Sequence, residues 1–207
     1  VNVSRFDPNS PQLARVREQA LKSGQIVVGR ISRLVPEKDP ETFVKAAALL
    51  KHRHDLVFRL WGDGPERVKL EGMRKSLGLQ DKLELMGSTE EPEVALAGMQ
   101  IFAYPTTGES VGWVVLEAMA MELPVVSTAV GAVPSFIRHG ETGFLMEKMG
   151  DEEILAALIE LLADSQSLRE SLGRGARKFV EEECTLDRFA SSYASLYRAV
   201  AKQRRNH

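Results

Sequence analysis

The chain has 207 residues, 43% hydrophobic and 27% charged, and its 27 Lys and Arg nearly balance 29 Asp and Glu to leave a formal charge of −2. That length suits one large domain or two small ones, and so even a balance, with no extended basic run before the tail, leaves no electrostatic footprint for nucleic acid. The single cysteine, Cys184, excludes an internal disulfide framework and fits a reducing, cytoplasmic compartment.

Residues 1–11 lack periodicity and carry Pro8 and Pro11, which predicts an extended linker. Residues 13–22 have helical spacing and stop before Gly24. From there β-branched apolar runs alternate with longer amphipathic segments. Strands are predicted at roughly 25–31, 56–61, 82–86, 100–104 and 124–128, and helices at about 40–52, 65–77, 91–98, 112–121 and 131–138. Such alternation predicts an α/β fold with a doubly wound, Rossmann-like parallel sheet, where ligands bind beyond the carboxyl ends of the strands. A short strand at 144–146 follows the turn Gly140-Glu141-Thr142-Gly143, and helices are predicted at 154–162, 168–182 and 186 to about 202. One domain then spans 12–184, followed by a C-terminal helix and basic tail over 185–207. No apolar stretch reaches the ~18 residues of a membrane span and no signal peptide opens the sequence, which reads as soluble. The tail Lys202-Gln203-Arg204-Arg205 is either solvated charge or a peripheral contact for an anionic membrane surface.

The stretch Glu109-Ser110-Val111-Gly112-Trp113-Val114-Val115-Leu116-Glu117 carries the chemistry. Between Val111 and Met121 every residue except Glu117 is apolar or Gly, so the helix is predicted to be hydrophobic on nearly every face and buried. A carboxylate in that setting needs a protein cation or a ligand to meet it. Gly112 opens the helix, where a residue without a side chain lets a ligand approach free backbone N–H groups that favour an anion. Carboxylates that bind hydroxyls beside amides that bind phosphate suggest a sugar-nucleotide site.

After the first strand, Gly29 precedes Arg33 and Lys38, two cations five residues apart. Arg33 suits bidentate contact with a diphosphate and Lys38 a point-charge contact; from spacing alone both also read as surface charges, but their position beyond the strand end, opposite the Gly112 helix, favours the diphosphate, and Arg33 also reads as a partner for Glu117. Gly62-Asp63-Gly64-Pro65-Glu66-Arg67 follows the second strand and mimics a dinucleotide fingerprint. Pro65 fixes its φ and Arg67 stands where a third Gly belongs, so a nicotinamide site is not expected, and Asp63 also reads as a turn residue. The four His lack metal-ligand spacing, and no metal or cofactor is expected.

The spacing of Glu109 and Glu117, followed by Ala118-Met119-Ala120 and Leu123-Pro124-Val125-Val126-Ser127, resembles the donor-site signature of the family 4 retaining glycosyltransferases of the GT-B fold. The resemblance spans nearly the whole chain. It implies that Arg33 and Lys38 hold the donor diphosphate and that Glu117 binds the ribose hydroxyls. It also implies that Glu109 lies beside the donor sugar, its action as a nucleophile left open, and that Ser110 and the amides of Val111, Gly112, Trp113 and Val114 hold phosphate and sugar. Gly29, Gly62 and Gly87 would belong to loops along the diphosphate, ribose and base. Residues 1–8 resemble the segment entering the second domain of such an enzyme, which implies an acceptor-binding domain before residue 1. The implied function is donor binding for transfer of a hexose-type sugar from a nucleoside diphosphate sugar to an acceptor hydroxyl, with retention and without metal. The isolated domain would then be inactive. A non-catalytic nucleotide-sugar-binding module and a GT-B epimerase are the alternatives. The sequence departs from the family at Glu122, where Gly is usual, at Ser135, where Glu is usual, and at Gln100, where Asp often stands.

Overall fold

The computed structural model describes residues 1–205. Six parallel strands, β1 (Ile26–Ile31), β2 (Leu56–Trp61), β3 (Leu83–Gly87), β4 (Ile101–Tyr104), β5 (Val125–Thr128) and β6 (Gly143–Met146), form one sheet in the order β3-β2-β1-β4-β5-β6. The helices are α1 (Pro11–Lys22), α2 (Pro40–Leu49), α3 (Arg67–Ser76), α4 (Pro92–Ala97), α5 (Trp113–Ala120), α6 (Glu152–Asp164), α7 (Gln166–Glu183) and α8 (Leu186–Arg205). Strand alternation sorts the core onto two faces. Val28, Ile101 and Ala103 join Phe43, Phe58 and Ile159 on one, while Val27, Phe102 and Tyr104 join Leu116, Met119 and Val180 on the other.

Winding runs from β1 outward to β3, returns to β4 and proceeds outward to β6, so the direction reverses between β1 and β4. The loops after those two strands diverge and leave a crevice at their carboxyl ends. β1 and β4 register at only two residue pairs, against six between β1 and β2.

Local chemistry explains the element ends. Asp39 adopts a left-handed conformation (φ 42°) and its carboxylate accepts from the Thr42 N–H at 3.3 Å, with Pro40 at the first helical position of α2. Asp151 and Ser165 cap α6 and α7 through the Ile154 and Leu168 N–H groups. Two sequence expectations fail. The helix expected at 131–138 shrinks to a single 3-10 turn, Val133–Ser135. Pro134 stiffens that turn, Ser135 closes it by donating to the Ala132 carbonyl, and the Arg138 N–H turns to the Thr142 hydroxyl at 2.9 Å. Residues 1–10 are not extended: they run through turns, Phe6 is buried, and the Val1 nitrogen donates to the Cys184 carbonyl at 2.6 Å. Arg177 of α7 clamps the segment, donating to the Phe6 carbonyl at 2.6 Å and the Ala120 carbonyl at 2.7 Å.

Among the described residues no helix is long and apolar enough to cross a membrane. The side chains of Lys202, Gln203, Arg204 and Arg205 lie outside the described residues, and with them the expected membrane contact.

Candidate functional site

The crevice at the β1/β4 reversal is a cavity of about 550 Å³. Arg33 and Lys38 enter it from the loop after β1, Glu109 from the loop after β4, Trp113, Val114 and Glu117 from α5, and Gly62, Asp63, Ser88 and Thr89 from the loops after β2 and β3.

Lys38 ends a 3-10 turn, Pro36–Lys38, and the left-handed Asp39 after it reverses the chain. Its side chain is 9% exposed, and its ammonium donates to the Gly108 carbonyl at 2.8 Å and to Glu109 Oε2 at 3.0 Å. Two residues assigned separately in the sequence, one to phosphate and one to sugar, therefore meet as a nearly buried ion pair. The same Glu109 oxygen accepts from the Tyr104 hydroxyl at 2.8 Å, and Oε1 from the Ser110 N–H at 2.9 Å. Burial alone would raise the Glu109 carboxyl, but the Tyr104 and Lys38 hydrogen bonds hold it below the usual carboxylate range. Tyr104 shows the reverse, since burial and the adjoining carboxylate push its phenol well above the usual range.

Arg33 is exposed and makes no hydrogen bond or ion pair among the described residues, so the reading in which it pairs with Glu117 is not realised. Glu117 is half-buried and also lacks a hydrogen-bond or ion-pair partner among the described residues. Burial raises its carboxyl, with Arg5 opposing and Glu93 adding to the shift. Arg5 instead pairs with Glu93 at 2.8 Å.

The α5 helix is less enclosed than its sequence suggests. Val115, Leu116, Ala118, Met119 and Ala120 are buried, but Trp113 is 60% exposed at the lip of the crevice and Glu117 shares that open side. Gly112 caps it in a left-handed conformation (φ 80°), where a Cβ would stand 3.2 Å from Val133 Cγ2. As in any first helical turn, the N–H groups of Trp113 and Val114 have no intrahelical acceptor. Ser110 and Val111 form the turn behind them, with the Ser110 carbonyl accepting from Ala132 N–H at 3.1 Å.

The glycines divide. Gly62 (φ 134°) borders the crevice because a Cβ there would lie 1.8 Å from the Ser32 carbonyl oxygen, so the loops after β1 and β2 pack backbone to backbone. Gly87 accepts from the Gly62 N–H at 2.8 Å and leads into Ser88 and Thr89. Gly29 lies elsewhere: it sits within β1, buried, where a Cβ would overlap the Met99 side chain, and it does not line the crevice. Asp63 also fills its turn role, accepting from the Gly64 N–H at 2.7 Å.

Sequence reasoning missed Tyr104 and Arg30. Tyr104 reads as one more apolar strand residue, and only the fold shows its hydroxyl on Glu109. Arg30 carries no sign in the sequence of its place within β1, where it is fully buried. Among the described residues no group of three His, Cys, Asp or Glu side chains is placed to hold a metal.

Residues 14–179 match the family model for group 1 glycosyl transferases. The N-acetyl-alpha-D-glucosaminyl L-malate synthase of Bacillus anthracis is 30% identical over 190 residues, covering 92% of this chain and 50% of that protein. The GDP-mannose-dependent alpha-(1-6)-phosphatidylinositol monomannoside mannosyltransferase of Mycobacterium tuberculosis is 28% identical over 208 residues, 96% of this chain and 54% of that one. In fold, the chain superposes with a TM-score of 0.85 at 23% identity on Anabaena Alr3699/HepE in complex with UDP-glucose, covering 96% of this chain and 56% of that one. It also matches the C-terminal domain of a Francisella tularensis group 1 glycosyl transferase, LpcC, with a TM-score of 0.77 at 22% identity, over 90% of this chain and 99% of that one. The chain thus spans about half the length of the longer relatives. With a Rossmann-like sheet shared with GT-B neighbours and a family match over residues 14–179, the chain belongs to the group 1 glycosyltransferases.

Proposed function

We propose that this chain is the donor-binding domain of a retaining glycosyltransferase that moves a sugar from a nucleoside diphosphate sugar to an acceptor hydroxyl. The observation that carries the reading is a convergence in one crevice. It brings together the Lys38–Glu109 pair, the first-turn amides of α5, and Arg33 and Glu117, neither of which has a partner among the described residues. A diphosphate needs fixed positive groups where its charge grows as the sugar departs. Arg33 and Lys38 supply them, with the amides of Trp113 and Val114 adding the amino end of a helix. Glu117 accepts from the two ribose hydroxyls, and Glu109 faces the sugar.

The relatives support the donor class by their names: one is GDP-mannose-dependent and one was crystallised with UDP-glucose. In this reading no metal is required because Arg33, Lys38 and the amides carry the phosphate charge. Acceptor binding belongs to a preceding domain, and the single Cys184 supports a cytoplasmic setting. Calorimetric titration of the chain with UDP, GDP, ADP, CDP and dTDP tests the donor role: one or more should bind, and binding by none of them overturns it. An assay on a protein that includes a preceding domain, with the anomeric configuration of the product read by NMR, tests transfer and retention. Binding without turnover there would make the chain a nucleotide-sugar-binding module.

A further inference from the structure

Arg30 lies in the middle of the sheet on β1, fully buried, and no carboxylate among the described residues hydrogen-bonds to it. A buried guanidinium without a carboxylate is tolerated only where its N–H groups are met. Here Nε donates to the Ser32 hydroxyl at 3.0 Å, Nη1 to the Pro105 carbonyl at 2.6 Å and the Asp39 carbonyl at 3.3 Å, and Nη2 to the Lys38 carbonyl. Its Cζ stands 5.3 Å from the centre of the Tyr104 ring, whose hydroxyl donates to Glu109. Burial lowers the Arg30 pKa to about 10, which still leaves it a cation at neutral pH.

One planar fork thus grips the main chain of Lys38 itself, of the left-handed Asp39, and of Pro105 in the loop that leads to Glu109. The registered pairs of β1 and β4, Val28 with Ile101 and Gly29 with Phe102, end one residue before Arg30. Ordinary packing gives no reason for a cation here: the positions on either side, Gly29 and Ile31, are apolar, and so are Val27 and Val28. The fork geometry, which a lysine cannot reproduce, is what joins the two loops.

We propose that Arg30 is a positioning residue for diphosphate binding: it ties the loop of Lys38 to the loop of Glu109 and so sets the ammonium and the carboxylate facing each other on the crevice floor. The proposal rests on the donor-site reading above. It adds a residue that touches neither nucleotide nor sugar.

The test uses the 207-residue chain and its Arg30→Lys and Arg30→Gln variants, each titrated with UDP and GDP and, in parallel, with uridine and guanosine, with melting temperatures recorded. The nucleosides probe the Glu117 side of the crevice without the phosphates. Nucleoside diphosphate affinity is expected to fall about tenfold or more in both variants while nucleoside affinity changes by less than about twofold. Parallel loss of diphosphate and nucleoside affinity, or no loss of either, would overturn the assignment and leave the donor reading standing. Failure of both variants to fold would overturn it too, making Arg30 a determinant of the fold alone. A wild-type chain that binds no nucleotide would sink the donor reading, and this assignment with it.

Discussion

Glu109 and Glu117 are carboxylates on either side of one helix start, and their surroundings drive them in opposite directions. Glu117 binds its proton more tightly folded than unfolded, so its ionisation works against the fold as pH rises through its ordinary value toward its raised one. Replacing it should therefore leave the free protein intact: Glu117→Gln is expected to melt no lower than wild type at pH 7. The same variant should bind nucleoside diphosphate some tens-fold more weakly, because charged hydrogen bonds to hydroxyls contribute about 1.5–3 kcal/mol each. Calorimetry beside a melting curve checks both halves, and a destabilised variant would show that Glu117 has a structural partner. Glu109 has the other sign. Its lowered carboxyl lends stability above the unfolded value that disappears as pH falls through the folded one. Glu109→Gln should cost about 1–3 kcal/mol in chemical denaturation at pH 7, since Lys38 loses its nearly buried partner while keeping the Gly108 carbonyl and the more exposed Glu37 at 3.3 Å, and that difference should shrink in acid. The need of Glu117 for company was visible in its apolar neighbours. The Lys38–Glu109 contact was not, because 71 residues separate its members and only the strand order brings them together.

Among elements, the loops that follow the strands matter more than the strands. Every sheet strand was legible, β1, β2 and β5 from β-branched apolar runs and β3, β4 and β6 from short apolar segments between turn residues. The segment after β5 was not. Its helical spacing is overruled by Gly131, where a Cβ would lie 1.9 Å from the Glu109 carbonyl oxygen, and by Pro134, so it stays a turn braced against the loop of Glu109. Gly62 is the sharper case of backbone meeting backbone. Gly62→Ala places a Cβ 1.8 Å from the Ser32 carbonyl oxygen with φ at 134°, which forces the β1 and β2 loops apart. A loss of more than about 2 kcal/mol is expected, together with weakened nucleotide binding, as measured by urea unfolding and titration. A variant of wild-type stability would show that these loops yield. Gly29→Ala should cost less, because its Cβ meets only the flexible Met99 side chain, which can move aside.

At the scale of the whole molecule, the fold class was legible because the alternation of strand and helix leaves few topologies open. The packing of residues 1–10 was not, since Arg177 and Cys184, which hold that segment, lie 171 and 183 residues along the chain from the groups they meet. The chain by itself is expected to bind a nucleoside diphosphate and to transfer no sugar, as followed by a melting shift and a product assay; appreciable transfer would show that one Rossmann-like half suffices. The strands β3-β2-β1 and β4-β5-β6 meet at the β1–β4 seam, with Lys38 on the loop after one side and Glu109 on the loop after the other. A nucleotide seated between them acts as a clasp, and its arrival should slow amide hydrogen exchange along β1 and β4 before it does so anywhere on the outer strands.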